Sequence, residues 1–141
     1  MGALERDFAA KVMAVEQGFL ALPQVPIPTD HVFAGGMCAR TVLIPAGSLL
    51  TGAIHLSEHL NIACGDISVI SSEGETRYTG YHVIASPAGT KRAVLTHADT
   101  VWTTILKTDA TDPQTVEETM TTRTFDDPRL PAEVRLSIEE K

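Results

Sequence analysis

A chain of 141 residues has the length of one domain with room for a terminal appendage. Its apolar share of 43% and charged share of 21% are those of an ordinary globular protein, and no apolar run approaches the ~20 residues that span a bilayer, which excludes a membrane protein built on helices. Eleven basic against eighteen acidic residues leave a net charge of −7, which argues against a nucleic-acid backbone as the main partner.

The first segment sets Leu4, Phe8, Val12, Val15 and Phe19 three and four residues apart, with Glu5, Arg6, Lys11 and Glu16 elsewhere on the wheel. That periodicity predicts an amphipathic helix in need of a partner surface, either its own domain or a second subunit. The same mixture of charged and apolar residues makes no secretory signal. Pro23, Pro26 and Pro28 then enforce an extended connector, so residues 1–28 read as helix plus connector.

Between Thr29 and Thr108 short β runs recur every eight to twelve residues. The predicted strands are Cys38 to Ile44, Ser48 to His55, Leu60 to Cys64, Asp66 to Ser71, Glu75 to Tyr78, Tyr81 to Ala85, Arg92 to Thr96 and Thr100 to Lys107. Turn signals separate them at Pro45-Ala46-Gly47, Gly65-Asp66, Glu73-Gly74, Gly80 and Pro87-Ala88-Gly89. Seventeen threonines suit pleated surfaces. His31 falls before this predicted core, and Cys38 and Cys64 read as small buried hydrophobes of a reduced, cytoplasmic protein.

From Asp109 onward nine acidic and four basic residues form an acidic arm, 109–141. Pro113 to Met120 predicts a short helix with proline in its first turn, and Asp126-Asp127-Pro128-Arg129-Leu130-Pro131 predicts solvated chain.

Two stretches in the β region carry more than fold. Glu58 and Gly65 are separated by six residues, with His55 just upstream; Gly80 precedes Pro87-Ala88-Gly89, and Arg92 and Thr96 follow. Together they resemble the paired motifs of the cupin superfamily, which implies an all-β, cupin-like jelly-roll barrel over residues 29–108. With the N-terminal helix and the Pro-Ala-Gly…His-Leu-Asn run, the chain is similar to small single-domain cupins encoded by tailed bacteriophages.

The departures from the motif bear on chemistry. The resemblance implies three histidines and a carboxylate around a divalent metal. Here Ala53 stands at the first histidine position and Arg92 at the third. A guanidinium has no lone pair to offer a metal, so no metal or other cofactor is expected. The remaining set of His55, Glu58 and His59 defines the alternative, a metal-dependent dioxygenase or isomerase.

In a barrel mouth Arg92 is a planar cation suited to carboxylate or phosphate. His55, His59, Glu58 and Asn61 complete the predicted ligand-binding set around it. The reading is a non-catalytic module for a small anionic or nucleotide-like ligand; the resemblance to phage-encoded cupins implies sequestration of a host signalling molecule in the host cytoplasm. Two other readings stay open: Arg92 pairs with Glu58 and plugs the barrel, or the protein is a virion or assembly component. His82 and His97 read as surface or interface histidines, and Trp102 as packing. An apolar helix stripe with no cover predicts a homo-oligomer, dimer or larger, with residues 1–28 contributing.

Overall fold

The computed structural model describes residues 3–19, 26–71, 74–124 and 126–132. Most of the proline connector (residues 20–25) and the last nine residues lie outside them. None of the described helices is long and apolar enough to cross a membrane. Helix α1 (Ala3–Phe19) is followed by strands β1 (Thr29–Ala34), β2 (Met37–Ile44), β3 (Leu49–Thr51), β4 (Ile54–His55), β5 (His59–Ser71), β6 (Gly74–Ser86), β7 (Ala93–Thr96) and β8 (Thr100–Lys107). Helix α2 (Pro113–Met120) and strand β9 (Thr121–Thr122) close the described chain.

Seven strands make one curled antiparallel sheet in the order β1-β2-β8-β5-β7-β3, with β6 on the other side of β5. The jelly-roll expectation holds. Strand β5 organises it: along its whole length it pairs with β6, while its opposite edge pairs first with β8 through Leu60–Cys64 and then with β7 through Ile67–Ile70.

The change of partner takes place at Gly65. A Cβ there would lie 2.6 Å from the Thr100 hydroxyl and 2.8 Å from the Asp99 carbonyl, and its φ is +149°. Only glycine admits that approach. The close passage lets the Thr100 Oγ1 accept from the Asp66 N–H at 3.2 Å. Gly65 is therefore no turn; it pairs with Gly80 inside a hairpin of two thirteen-residue strands. Four predicted strands merge into two for this reason, and Ser48 to His55 conversely breaks into β3 and β4.

Strand β1 was not among the predicted strands. It pairs in full with β2, which places His31 in the sheet, opposite Arg40. Helix α2 forms as the sequence predicts: Asp112 caps it by accepting from the Thr115 N–H at 2.9 Å, and Pro113 fills the first turn, where a missing N–H costs nothing. Val116 packs on Cys38 and Leu106 beneath the sheet. The 126–131 stretch departs from expectation. Leu130 is buried against Ile54, with Met13 and Leu56 alongside, while Asp127 and Arg129 pair at its side at 2.7 Å.

Helix α1, with Val12 buried, meets its own barrel at Met13, packed against Ile54 and Leu130, and at Glu16. The Glu16 carboxylate accepts from the Lys91 ammonium at 2.7 Å and from the Thr51 hydroxyl. Lys91, whose side chain is only 5% exposed, also donates to the Gly52 carbonyl. Burial alone would raise the Glu16 pKa, but the Lys91 and Thr51 hydrogen bonds and the Lys91 charge outweigh it and hold the carboxyl below its usual value.

Candidate functional site

Alternation along the strands decides which side chains meet inside the barrel. On β5 the odd residues His59, Asn61 and Ala63 point inward and are buried. On β2 and β8 the inward set includes Arg40, Val42, Ile44, Trp102 and Thr104, with Arg40 opposite Thr104 and Val42 opposite Trp102. Together these walls enclose a cavity of about 290 Å³.

The remaining wall comes from two segments held together by backbone. Gly89, at φ +84° in the Pro-Ala-Gly turn, donates its N–H to the His55 carbonyl at 2.8 Å. The Gly52 N–H donates to the Arg92 carbonyl at 3.2 Å. These contacts bring Arg92 and His55 to the same rim. Strand β4, which carries His55, is propped from behind by β9 and by the Leu56 N–H bonding to the Met120 carbonyl at 2.9 Å. The acidic arm thus supports a cavity-lining residue.

A polar network occupies the cavity floor. Trp102 Nε1 (3.2 Å) and Thr104 Oγ1 (2.8 Å) donate to Asn61 Oδ1, which orients the amide, since an indole N–H only donates. The Asn61 Nδ2 then donates to Ser86 Oγ at 2.8 Å, and Arg92 Nη2 donates to the same oxygen at 2.6 Å. Asn61 therefore has both ends of its amide engaged by protein, and it acts by holding Ser86, Trp102 and Thr104 in place.

The two histidines stack, with ring centroids 4.0 Å apart. His59 Nδ1 lies 3.0 Å from the Ser57 carbonyl, an acceptor, so that nitrogen carries the proton and Nε2 keeps its lone pair. Burial, followed by the neighbouring His59, Arg40 and Arg92, pushes the His55 pKa down to about 3. Burial likewise lowers His59, against the opposing Ser57 hydrogen bond. Both rings are neutral at pH 7. Burial also lowers the Arg92 pKa, though not enough to cost a guanidinium its charge near neutrality.

Of the five residues predicted to bind ligand, Arg92, His55, His59 and Asn61 line the cavity. Glu58 does not. It is exposed and lies outside the wall, because it precedes inward-facing His59 by one position. Among the described residues Arg92 makes no ion pair with Glu58, and its hydrogen-bond partner is Ser86. The cavity also gains residues that the sequence reading left out or placed elsewhere. Arg40 lines it without a hydrogen bond or ion pair among the described residues, and Trp102 is a wall rather than simple packing. Arg40 had a readable signal, a charge at the same strand parity as Val42 and Ile44. Lys91 faces α1, His97 bonds Ser68 at 2.7 Å, and His82 bonds the Thr79 carbonyl at 2.8 Å, all away from the cavity. Cys38 is buried, but Cys64 is exposed, on the outward parity of β5.

No family model and no curated protein matches the chain. Solved structures do. A cupin superfamily protein from Desulfitobacterium hafniense superposes with a TM-score of 0.51 over 62% of this chain and 82% of that one, at 11% identity. The fold is the cupin jelly roll. A Salmonella typhimurium protein bearing the provisional name ethanolamine utilization protein Q gives a TM-score of 0.52 over 61% and 72% of the two chains, at 9% identity. The cupin domain of Schizosaccharomyces pombe Cnp3 covers 62% of this chain and 67% of its own, with a TM-score of 0.48 and 20% identity. Such identities carry the fold and no activity.

The side chains in this jelly-roll barrel do not suit the divalent metal that the motif resemblance implies. Among the described residues no group of three or more metal-ligating side chains converges. The cavity wall offers His55 and His59 but no carboxylate, and it places the cations Arg40 and Arg92 beside them. Two fixed positive charges would oppose a metal ion there.

Proposed function

We propose that this cupin-fold protein is a non-catalytic binding module for a small anionic ligand with an apolar or planar body, as in a nucleotide or an organic acid. One observation carries the reading: two guanidiniums, Arg40 and Arg92, line a cavity of about 290 Å³ whose wall holds no carboxylate. In a chain of net charge −7 that is a local reversal of sign. Arg92 is half-buried with no carboxylate beside it, and an anion in the cavity supplies its counter-charge, with the more exposed Arg40 adding a second cation at the same wall. Neutral His55 and His59 add hydrogen-bonding groups without demanding a metal, and Trp102, Val42 and Ile44 supply the apolar wall. The resemblance to phage-encoded cupins extends the reading to sequestration of a signalling molecule in a host cytoplasm.

Thermal melts with a panel of nucleotides and organic acids test it. A binder raises the melting temperature of the wild type. Arg92→Lys, which keeps the charge but loses the fork, weakens that shift, and Arg92→Ala removes most of it, a loss of about 2–5 kcal/mol of binding. No shift from any anion, or about one equivalent of tightly held transition metal after purification, overturns the proposal in favour of an inert or metal-dependent barrel.

A further inference from the structure

The polar side chains that line the cavity are not all free to meet a ligand. Thr29, Thr51 and Thr90 give their hydroxyl protons to the Ile27 carbonyl, the Glu16 carboxylate and the Pro87 carbonyl. Trp102 and Thr104 give theirs to Asn61. Arg92 spends one N–H on Ser86, and Arg40 spends none among the described residues, so most of the five N–H groups of each guanidinium remain. His59 is their counterpart. It is only 5% exposed, its Nδ1 proton goes to the Ser57 carbonyl, and among the described residues nothing donates to its Nε2. A buried acceptor left without a donor costs free energy. Stacking on His55 holds the ring but brings no proton to that nitrogen. Ser86, on which the Arg92 guanidinium rests at 2.6 Å, stands directly opposite His59 in the pairing of β5 with β6. Directly opposed side chains share a face, so the cation and the free acceptor sit at neighbouring points of one wall.

We infer that the ligand is a hydroxy acid with an apolar body, its carboxylate on Arg92 and the neighbouring hydroxyl donating to His59 Nε2. This rests on the anion-binding reading above and narrows it. A plain carboxylate or a phosphate dianion brings acceptors alone and leaves the His59 lone pair unanswered. An ammonium beside the carboxylate, as in an amino acid, would answer it but set a third cation against Arg40 and Arg92. A hydroxyl donates without charge. The apolar body follows from the other part of the wall, where Val42, Ile44, Leu50 and Val94 pack with Trp102, whose N–H is already committed to Asn61. A cavity of about 290 Å³ is at the small end for ligand pockets, which suits an acid carrying one ring or a short branched chain.

The experiment is calorimetric titration of the full chain at pH 7 with each enantiomer of phenyllactate and with phenylpropionate, which lacks only the hydroxyl. One enantiomer of phenyllactate is expected to bind about tenfold more tightly than phenylpropionate, the worth of one well-made hydrogen bond. His59→Phe keeps an aromatic ring against His55 but has no lone pair, and it is expected to bind the two acids alike. Arg92→Ala is expected to weaken both. If His59→Phe does not fold, the nitrogen NMR shift of His59 Nε2 in the wild type serves instead, moving further with phenyllactate than with phenylpropionate. Equal affinity of the wild type for the two acids overturns this inference and leaves the anion-binding reading standing. A preference that survives in His59→Phe overturns it as well, because the hydroxyl is then met elsewhere. Binding of neither acid, while other anions still raise the melting temperature, overturns the hydroxy-acid class alone. Silence toward every anion overturns the anion-binding reading together with it.

Discussion

The two faces of one sheet are completed in different ways. On β5, inward Asn61 is 2% exposed and outward Leu60 is 44% exposed. On β8 and β2, inward Thr104 is buried while outward Val101 and Leu43 are exposed. Polar groups are tolerated inside because each buried one has a partner: Asn61 alone joins Ser86, Trp102 and Thr104. Apolar groups remain outside with no such internal answer. The inner face is thus specified by hydrogen bonds that close within the chain, whereas the outer face leaves Leu60, Val101 and Leu43 exposed.

The largest effect is expected at the centre of the inner network. Asn61→Ala deletes the acceptor of the Trp102 and Thr104 donors and the donor to Ser86, and opens a void among buried neighbours. A stranded donor costs about 1–3 kcal/mol and a core truncation adds to it, so a loss of roughly 3–4 kcal/mol is expected by urea denaturation. A loss under about 1 kcal/mol would show that water already replaces these partners and that the inner face is not dry.

A somewhat smaller effect is expected from acid. The His55 pKa is about 3 in the folded protein against an ordinary 6.5. The unfolded chain therefore takes up a proton in a window where the folded chain resists it. Stability from this ring is fully present above pH ~6.5 and is lost as pH falls toward about 3. By pH 4 the loss is on the order of 3 kcal/mol, and the lowered His59 adds in the same direction. Melts between pH 7 and pH 4 check this, with His55→Gln expected to flatten the slope. An anion held by Arg40 and Arg92 would favour protonation of both rings, raise their folded-state pKa values and so make the loss smaller.

The legibility of this molecule followed the range of the interactions involved. Strands β2, β7 and β8 and helix α2 were readable because β-branched runs and an Asp-Pro start are local signals. Gly65 and Gly80 read as turns because glycine is locally a breaker. Their pairing with each other, and the approach of Thr100 to Gly65, are set by residues far along the chain. Thr29–Ala34 lacked a strong pattern and became a strand through β2. Within the site, His55 and Arg92 were found through the motif resemblance, whereas Arg40 needed the parity of β2 to be taken at its word. Glu58 and Cys64 were misplaced for one shared reason: the odd positions of β5 face inward, and both residues sit outside that set.

The smallest effect separates the faces most directly. Thr41 and Thr103 hydrogen-bond each other on the outer face, where both are half-buried in the single chain. If water reaches them, Thr103→Val costs no more than about 0.5 kcal/mol, because solvent replaces the lost partner. If a second copy seals the face, the stranded Thr41 hydroxyl costs about 1–2 kcal/mol at concentrations where the dimer forms. Thr41→Val with Thr103→Val removes both partners and returns to within about 0.5 kcal/mol of wild type in either case. A double-mutant cycle measured above and below the association concentration reads the difference. A coupling that appears only at high concentration places the pair inside the dimer. A coupling near zero throughout leaves the outer face wet, in contrast to the sealed network on the other side of the same strands.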